Sequence, residues 1–161
     1  MTSLILVGAS CLVLTLYLVA YMATNGIPTS ISATYYRNEN KWLYSAVLAA
    51  SSTLALMPMM DLTSEPFHFL AFISIVSVYF VAASPAFKEE YLHSLHSLTA
   101  ILLGVAIFAW LFLMADIPYL AFAGIAAGLI NRRKFVFWFE VGLIYNLYYA
   151  LILLLGDVLI L

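Results

Sequence analysis

The chain has 161 residues, of which 66% are hydrophobic and 9% are charged, and its mean hydropathy is +1.08. A typical soluble domain is about 45–50% apolar and about 25% charged. The 6 Lys+Arg and 8 Asp+Glu residues are too few to cover a water-facing surface. This composition excludes a soluble globular protein, a disordered chain and a nucleic-acid binder, which requires a basic face. It is the composition of an integral membrane protein.

The first three apolar runs each fit a membrane crossing, for which a helix needs about 20 residues. The first run covers residues 3–24, and Asn25-Gly26 followed by Pro28 predicts a left-handed helix stop there. It lacks the basic start of a signal peptide, so we expect it to be retained as a span. A polar loop leads to the second run, residues 42–60, and a short acidic loop leads to the third, residues 66–84.

The second half of the chain predicts three more helices. Ser84-Pro85 is typical of a helix start, so the fourth helix is expected over residues 85–114. The fifth run, residues 119–130, is short and reaches only about 20 Å as a helix. The last run, residues 135–161, is long enough to span with tilt. We therefore predict one all-α transmembrane domain over 1–161, a compact bundle of six helices. The alternative is five spans plus a re-entrant segment at 119–130.

The positive charges predict the orientation of the bundle. Arg37 and Lys41 fall in the first loop, Lys88 in the third, and residues 132–134 form a basic turn in the fifth, whereas the second and fourth loops carry no Lys or Arg. In a six-span arrangement these residues share one side, which the positive-inside rule assigns to the cytoplasm. The prediction is a multi-pass protein of the plasma (inner) membrane with both termini outside the cytoplasm.

Two features of the last helices bear on packing. Gly124 and Gly128 form a small-xxx-small pair, which is typical of close contact between membrane helices. On the last run, the face with Gly142 and Tyr149 is predicted to look into the bundle. Glu140 lies on the opposite face, so we expect its side chain to reach back toward the basic turn at the interface.

One cluster has the residue types of a metal site. Glu89, His93 and His96 fall within about 60° of arc on a helix, and two imidazoles with a carboxylate can ligate Zn²⁺. Ser30 and Ser32 in the first loop are predicted on the same side and could supply hydroxyls. The alternative is an ordinary interfacial helix end, in which a glutamate and a histidine one turn apart form a hydrogen bond. No residue is assigned a catalytic role, and zinc is the one cofactor that the cluster allows.

Three segments resemble a known family. The sequence Pro-Thr-Ser-Ile-Ser at residues 28–32, Ser84-Pro85, and the histidines within residues 92–98 are similar to elements of the Frag/DRAM/Sfk-type six-helix membrane proteins and their prokaryotic relatives. That resemblance implies a six-helix fold. These proteins are loosely grouped with ceramidase-like hydrolases, which hold zinc with histidines and use serine and aspartate. This chain has only 3 histidines and no intramembrane aspartate beside them. The family's first loop is usually non-cytoplasmic, whereas Arg37 and Lys41 indicate the cytoplasmic side here.

Three functions follow as hypotheses. The first is a small non-enzymatic polytopic protein that binds lipid or partner membrane proteins, including further copies of itself. The first alternative is a metal-dependent intramembrane hydrolase that acts on a lipid through the Glu89, His93 and His96 cluster. The second alternative is a small transporter or channel subunit, which the lack of visible inverted repeats disfavours. The sequence leaves the ligand, the oligomeric state and enzymatic activity open.

Overall fold

The computed structural model describes residues 1–83, 90–115 and 117–160, with the side chains of residues 90–94, 159 and 160 left out of the description. The described residues are 88% helical and include no strand. The helices are α1 Thr2–Asn25, α2 Thr34–Arg37, α3 Lys41–Leu62, α4 His68–Ala83, α5 Glu90–Met114, α6 Tyr119–Ile130 and α7 Phe135–Ile160. Short 3-10 turns at Glu65–Phe67 and Arg132–Lys134 lead into α4 and α7.

Five segments are long and apolar enough to cross a membrane: Thr2–Asn25, Lys41–Leu62, Glu65–Ala83, Leu95–Met114 and Arg132–Val158. Large apolar side chains cover the outside of these helices, with Leu16, Phe72 and Ile101 each 60% exposed or more. A soluble protein rarely exposes so much apolar surface, whereas a bilayer solvates it. The prediction of an all-helical membrane protein is confirmed at this level.

Helix ends follow the local signals with one difference. The chain leaves α1 at Gly26, whose N–H donates to the Met22 carbonyl over 2.9 Å. The φ of Gly26 is 72°, but its ψ of −177° lies outside the left-handed helical region that the sequence predicted. This extended conformation with positive φ is open almost only to glycine. It turns the chain outward into the polar loop. The predicted helix start at Ser84-Pro85 lies outside the described residues.

The consecutive long helices α1, α3, α4 and α5 alternate in direction, so the bundle has two distinct ends. At one end the Ser3 hydroxyl donates to Asp61 over 3.1 Å, and the Trp110 indole N–H donates to the Thr63 hydroxyl over 2.7 Å. We call this the acidic end, since it also carries Glu65. At the other end α1 finishes and α3 and α7 begin. We call it the basic end, because the lysines and arginines within the described residues lie there: Arg37, Lys41, Arg132, Arg133 and Lys134.

Helix α6 packs against α7 through glycines. A Cβ atom added to Gly142 would lie 2.5 Å from the Leu120 carbonyl oxygen and 2.9 Å from the Gly124 Cα. A Cβ atom on Gly128 would lie 2.8 Å from the ring of Phe135. The two backbones therefore touch, and only glycine leaves room for this contact. Gly124 and Gly128 both lie in this interface.

Helix α7 presents a different interior face from the one predicted. Gly142 faces α6, but Tyr149 is 52% exposed and a Cβ atom on Gly156 would meet open space. The buried face carries Leu147 and Leu151 instead. Tyr145 does face the bundle, since its hydroxyl lies 2.6 Å from that of Thr15 on α1. The predicted interior face is wrong at Tyr149 and Gly156, because Gly142 marks the contact with α6 rather than the centre of the bundle.

We expect Gly142→Leu to destabilise the protein, since a side chain there collides with the α6 backbone. Overpacking of a tight contact costs about 1–3 kcal/mol, so the melting temperature in a neutral detergent should fall by several degrees. Gly156→Leu on the same helix is the matched control and should melt like the parent. Equal melting of the two variants would contradict the α6–α7 contact.

Candidate functional site

A cavity of about 130 Å³ lies inside the bundle. Side chains of α1, α3, α4, α5 and α7 line it, together with the loop after α1. Two-thirds of these side chains are apolar, as is usual for a ligand site. At the basic end its polar groups are Ser32, His96 and Glu140. The cavity therefore combines an apolar body with one polar end.

Glu140 is held at that polar end by the loop after α1. The Ile31 N–H donates to the Glu140 Oε2 atom over 2.6 Å. Within the described part of the chain this is the one hydrogen bond to the carboxyl group, and no lysine or arginine forms an ion pair with it. The Lys134 ammonium group donates to the Ile27 carbonyl instead. The prediction that Glu140 reaches back to the basic turn is wrong, because its side chain lines the cavity.

The loop after α1 folds into a compact turn that closes the basic end of the bundle. The Ala33 N–H donates to the Ser30 hydroxyl over 3.0 Å, and the Thr34 hydroxyl donates to the Ile31 carbonyl over 2.7 Å. The Tyr17 and Thr34 hydroxyls, 2.6 Å apart, tie this turn to α1. Thr34 is fully buried and Ile31 nearly so. The turn thus fixes the N–H group that binds Glu140.

The predicted metal cluster is only partly within the described residues. Glu89 and the His93 side chain lie outside them. His96 is half-buried and lines the cavity together with Ser32, whose hydroxyl lies 3.0 Å from that of Ser30. Among the described residues, no group of three or more His, Cys, Asp or Glu side chains could hold a metal ion. The zinc site stays a prediction.

A buried cluster of hydroxyl groups lies beside the cavity, and no prediction from the sequence includes it. The Ser10 hydroxyl lies 3.0 Å from the Tyr148 hydroxyl, which lies 2.7 Å from the Ser51 hydroxyl. Ser10 also donates to the Ser51 carbonyl over 2.7 Å. These contacts join α1, α3 and α7 halfway along the bundle. No sequence signal identifies this cluster, because each residue by itself is an ordinary small or aromatic residue of a membrane helix.

Comparisons with known protein families, characterised proteins and solved structures give no match to this chain. The function must therefore be inferred from the cavity and the side chains that line it.

We expect Glu140→Leu to loosen the turn after α1, because the buried Ile31 N–H then loses its acceptor. Such an orphaned group costs about 1–3 kcal/mol. Hydrogen exchange of the segment 28–34, followed by mass spectrometry, should accelerate by about 5- to 150-fold if local opening limits it. Glu140→Gln retains a carbonyl acceptor and is the control, with exchange close to that of the parent. Equal exchange in the two variants would show that this hydrogen bond does not hold the turn.

Proposed function

We propose that this protein is a non-enzymatic membrane protein that binds one single-chain lipid in the cavity of the bundle. The observation that carries the proposal is the lining of the cavity, which is mostly apolar apart from serine hydroxyls of α3 and α4 and which has Glu140 and His96 at the basic end. A ligand that fits both regions must have an apolar chain and one polar group. Such amphipathic molecules are concentrated in the bilayer that surrounds these helices.

The length of the cavity supports an extended chain. Along α5 its lining runs from His96 to Ile107, which corresponds to about 16 Å at about 1.5 Å per residue. Along α3 it runs from Tyr44 to Met59. Its volume of about 130 Å³ is close to the ~150 Å³ of a cavity that accepts benzene, so the part of the apolar chain that the cavity encloses is about the size of that ring.

The cavity supports the binding function directly. The hydrolase alternative depends on Glu89 and on the His93 side chain beside His96, and these two groups lie outside the described residues. A transporter would need a route between the two ends. The turn after α1 closes the basic end through the contact between Ile31 and Glu140.

The proposal includes a six-crossing topology with the basic end in the cytoplasm. Five helices are long enough to cross, and α6 has 12 residues, about half of the length needed. The Leu120 N–H donates to the Asn146 side chain halfway along α7, and α6 ends beside Phe135. The connection from α5 through α6 thus returns the chain to the basic end. The positive-inside rule then favours the plasma membrane orientation with both termini outside.

Single cysteines on a Cys11→Ser background test this topology. Glu65 and Arg133 lie at opposite ends of the bundle, so Glu65→Cys should react with an impermeant maleimide added outside intact cells. Arg133→Cys should react only after the membrane is permeabilised. Reaction of both residues from the same side would contradict the six-crossing topology.

Filling the cavity tests the binding proposal. Gly104 lines the cavity, and a Cβ atom there meets nothing within 4 Å. Gly104→Phe should therefore fold normally while its ring occupies the space of the bound chain. We expect co-purified single-chain lipid, measured by extraction and mass spectrometry, to fall at least about 10-fold, which corresponds to about 1.4 kcal/mol of binding.

Gly8→Phe is the matched control, since Gly8 lies on α1 away from the cavity and is also free of contacts. It should retain the lipid content of the parent. If Gly104→Phe is folded and carries as much lipid as Gly8→Phe, the cavity is not the lipid site.

A further inference from the structure

We infer that the cavity selects a lipophilic cation, that is, a single alkyl chain whose polar end is an ammonium group placed against Glu140. This inference rests on the proposed lipid-binding function and names the chemical class of the ligand. Three observations carry it: the position of the Glu140 carboxyl, the engagement of the nearby cations elsewhere, and the aromatic side chains around the cavity.

The Glu140 carboxyl is a strong acceptor with unused capacity. A carboxylate offers about four lone-pair sites, and within the described part of the chain it accepts one hydrogen bond, from the Ile31 N–H. The group lines the mostly apolar cavity. A charge in such surroundings is strongly stabilised by a direct counter-ion. The side of the carboxyl that faces the cavity is where a ligand can supply one.

The cations of the basic end do not supply that counter-ion within the described residues. Lys134 donates to the Ile27 carbonyl, and Lys41 lies over the Tyr35 ring, 5.8 Å from its centroid. The three arginines Arg37, Arg132 and Arg133 are exposed on the outside of the bundle. The lysines and arginines of the basic end therefore face the membrane surface. The acidic group of Glu140 remains at the cavity without one of them as its partner.

Aromatic side chains reinforce the preference for a positive charge. Tyr44, Phe139 and Tyr148 line the same cavity as Glu140. The face of an aromatic ring attracts ammonium groups, and more strongly when water is excluded. A carboxylate at the end of the ligand would instead meet Glu140 as a like charge, which is destabilising. An alkyl ammonium ion fits this lining and a fatty acid does not.

Three probes of equal chain length separate the contribution of the charge from that of the chain. We would add dodecylamine, dodecanol or dodecanoate at pH 7 to the parent protein in a neutral detergent, and measure each apparent Kd by native mass spectrometry. We expect the amine to bind at least about 10-fold more tightly than the alcohol, and the carboxylate most weakly of the three. Equal affinity for amine and alcohol would overturn the inference. That is also the result expected if the His96 imidazole provides the counter-charge for Glu140.

Variants locate the preference at Glu140. Glu140→Gln retains the acceptor for the Ile31 N–H but removes the charge, so the amine should lose its advantage over the alcohol. Glu39→Gln, an exposed acid at the same end of the bundle, is the matched control and should retain the preference. An amine preference that persists in Glu140→Gln would overturn the inference.

Failure of the proposed function gives a different result. In that case the parent binds none of the three probes, or Gly104→Phe binds all of them as well as the parent does. Alcohol binding that the parent shows and Gly104→Phe abolishes would support the lipid cavity independently of the charge preference.

Discussion

Hydrophobic burial cannot hold these helices together, because the lipid chains around them are as apolar as their own side chains. Close backbone packing and hydrogen bonds must do so instead. The Ser10, Ser51 and Tyr148 hydroxyls join α1, α3 and α7 through a closed set of contacts of 2.7–3.1 Å. These three helices form the frame on which the other helices pack. The cavity lies beside this frame, where α4 and α5 complete its wall.

A frame joined by small hydroxyl side chains has a consequence for its interior. Serine residues bring helix backbones together without filling the space between them, so unoccupied volume is left where larger side chains do not meet. The cavity lies next to Ser51, Ser52 and Ser74, whose side chains line it. In a soluble protein such volume is costly. In a membrane, lipid chains that can fill it are always at hand, so the same volume can serve as a binding site.

The sequence predicts the helices of this protein better than it predicts their faces. Apolar length and breaker residues are local signals, and the predicted bounds of α6, residues 119–130, match the structure. The direction of Glu140 depends on a distant partner, the Ile31 N–H, which lies 109 positions away in the chain. The glycines of α7 are recognisable as packing residues, but periodicity does not say which neighbour they contact. Hydropathy also cannot distinguish the face of α7 that packs in the bundle from the face that contacts lipid, since both faces are largely apolar.

The shortness of α6 explains how α7 can carry a carboxyl at the cavity. Helix α7 contacts α6 through Gly142 on one face and lines the cavity through Glu140 on another, so it is enclosed on both sides along its first half. Beyond Asn146, where α6 begins, α7 is exposed at Tyr149 and Leu153. Glu140 thus lies in the half of α7 that protein covers, whereas the acid of the other half, Asp157, is exposed close to the end of the helix. A carboxyl midway along the uncovered stretch would face hydrocarbon, which is costly unless it is paired. The length of α6 therefore determines which part of α7 can carry a charged group inside the membrane. It thereby also determines which end of the cavity recognises the polar part of a ligand.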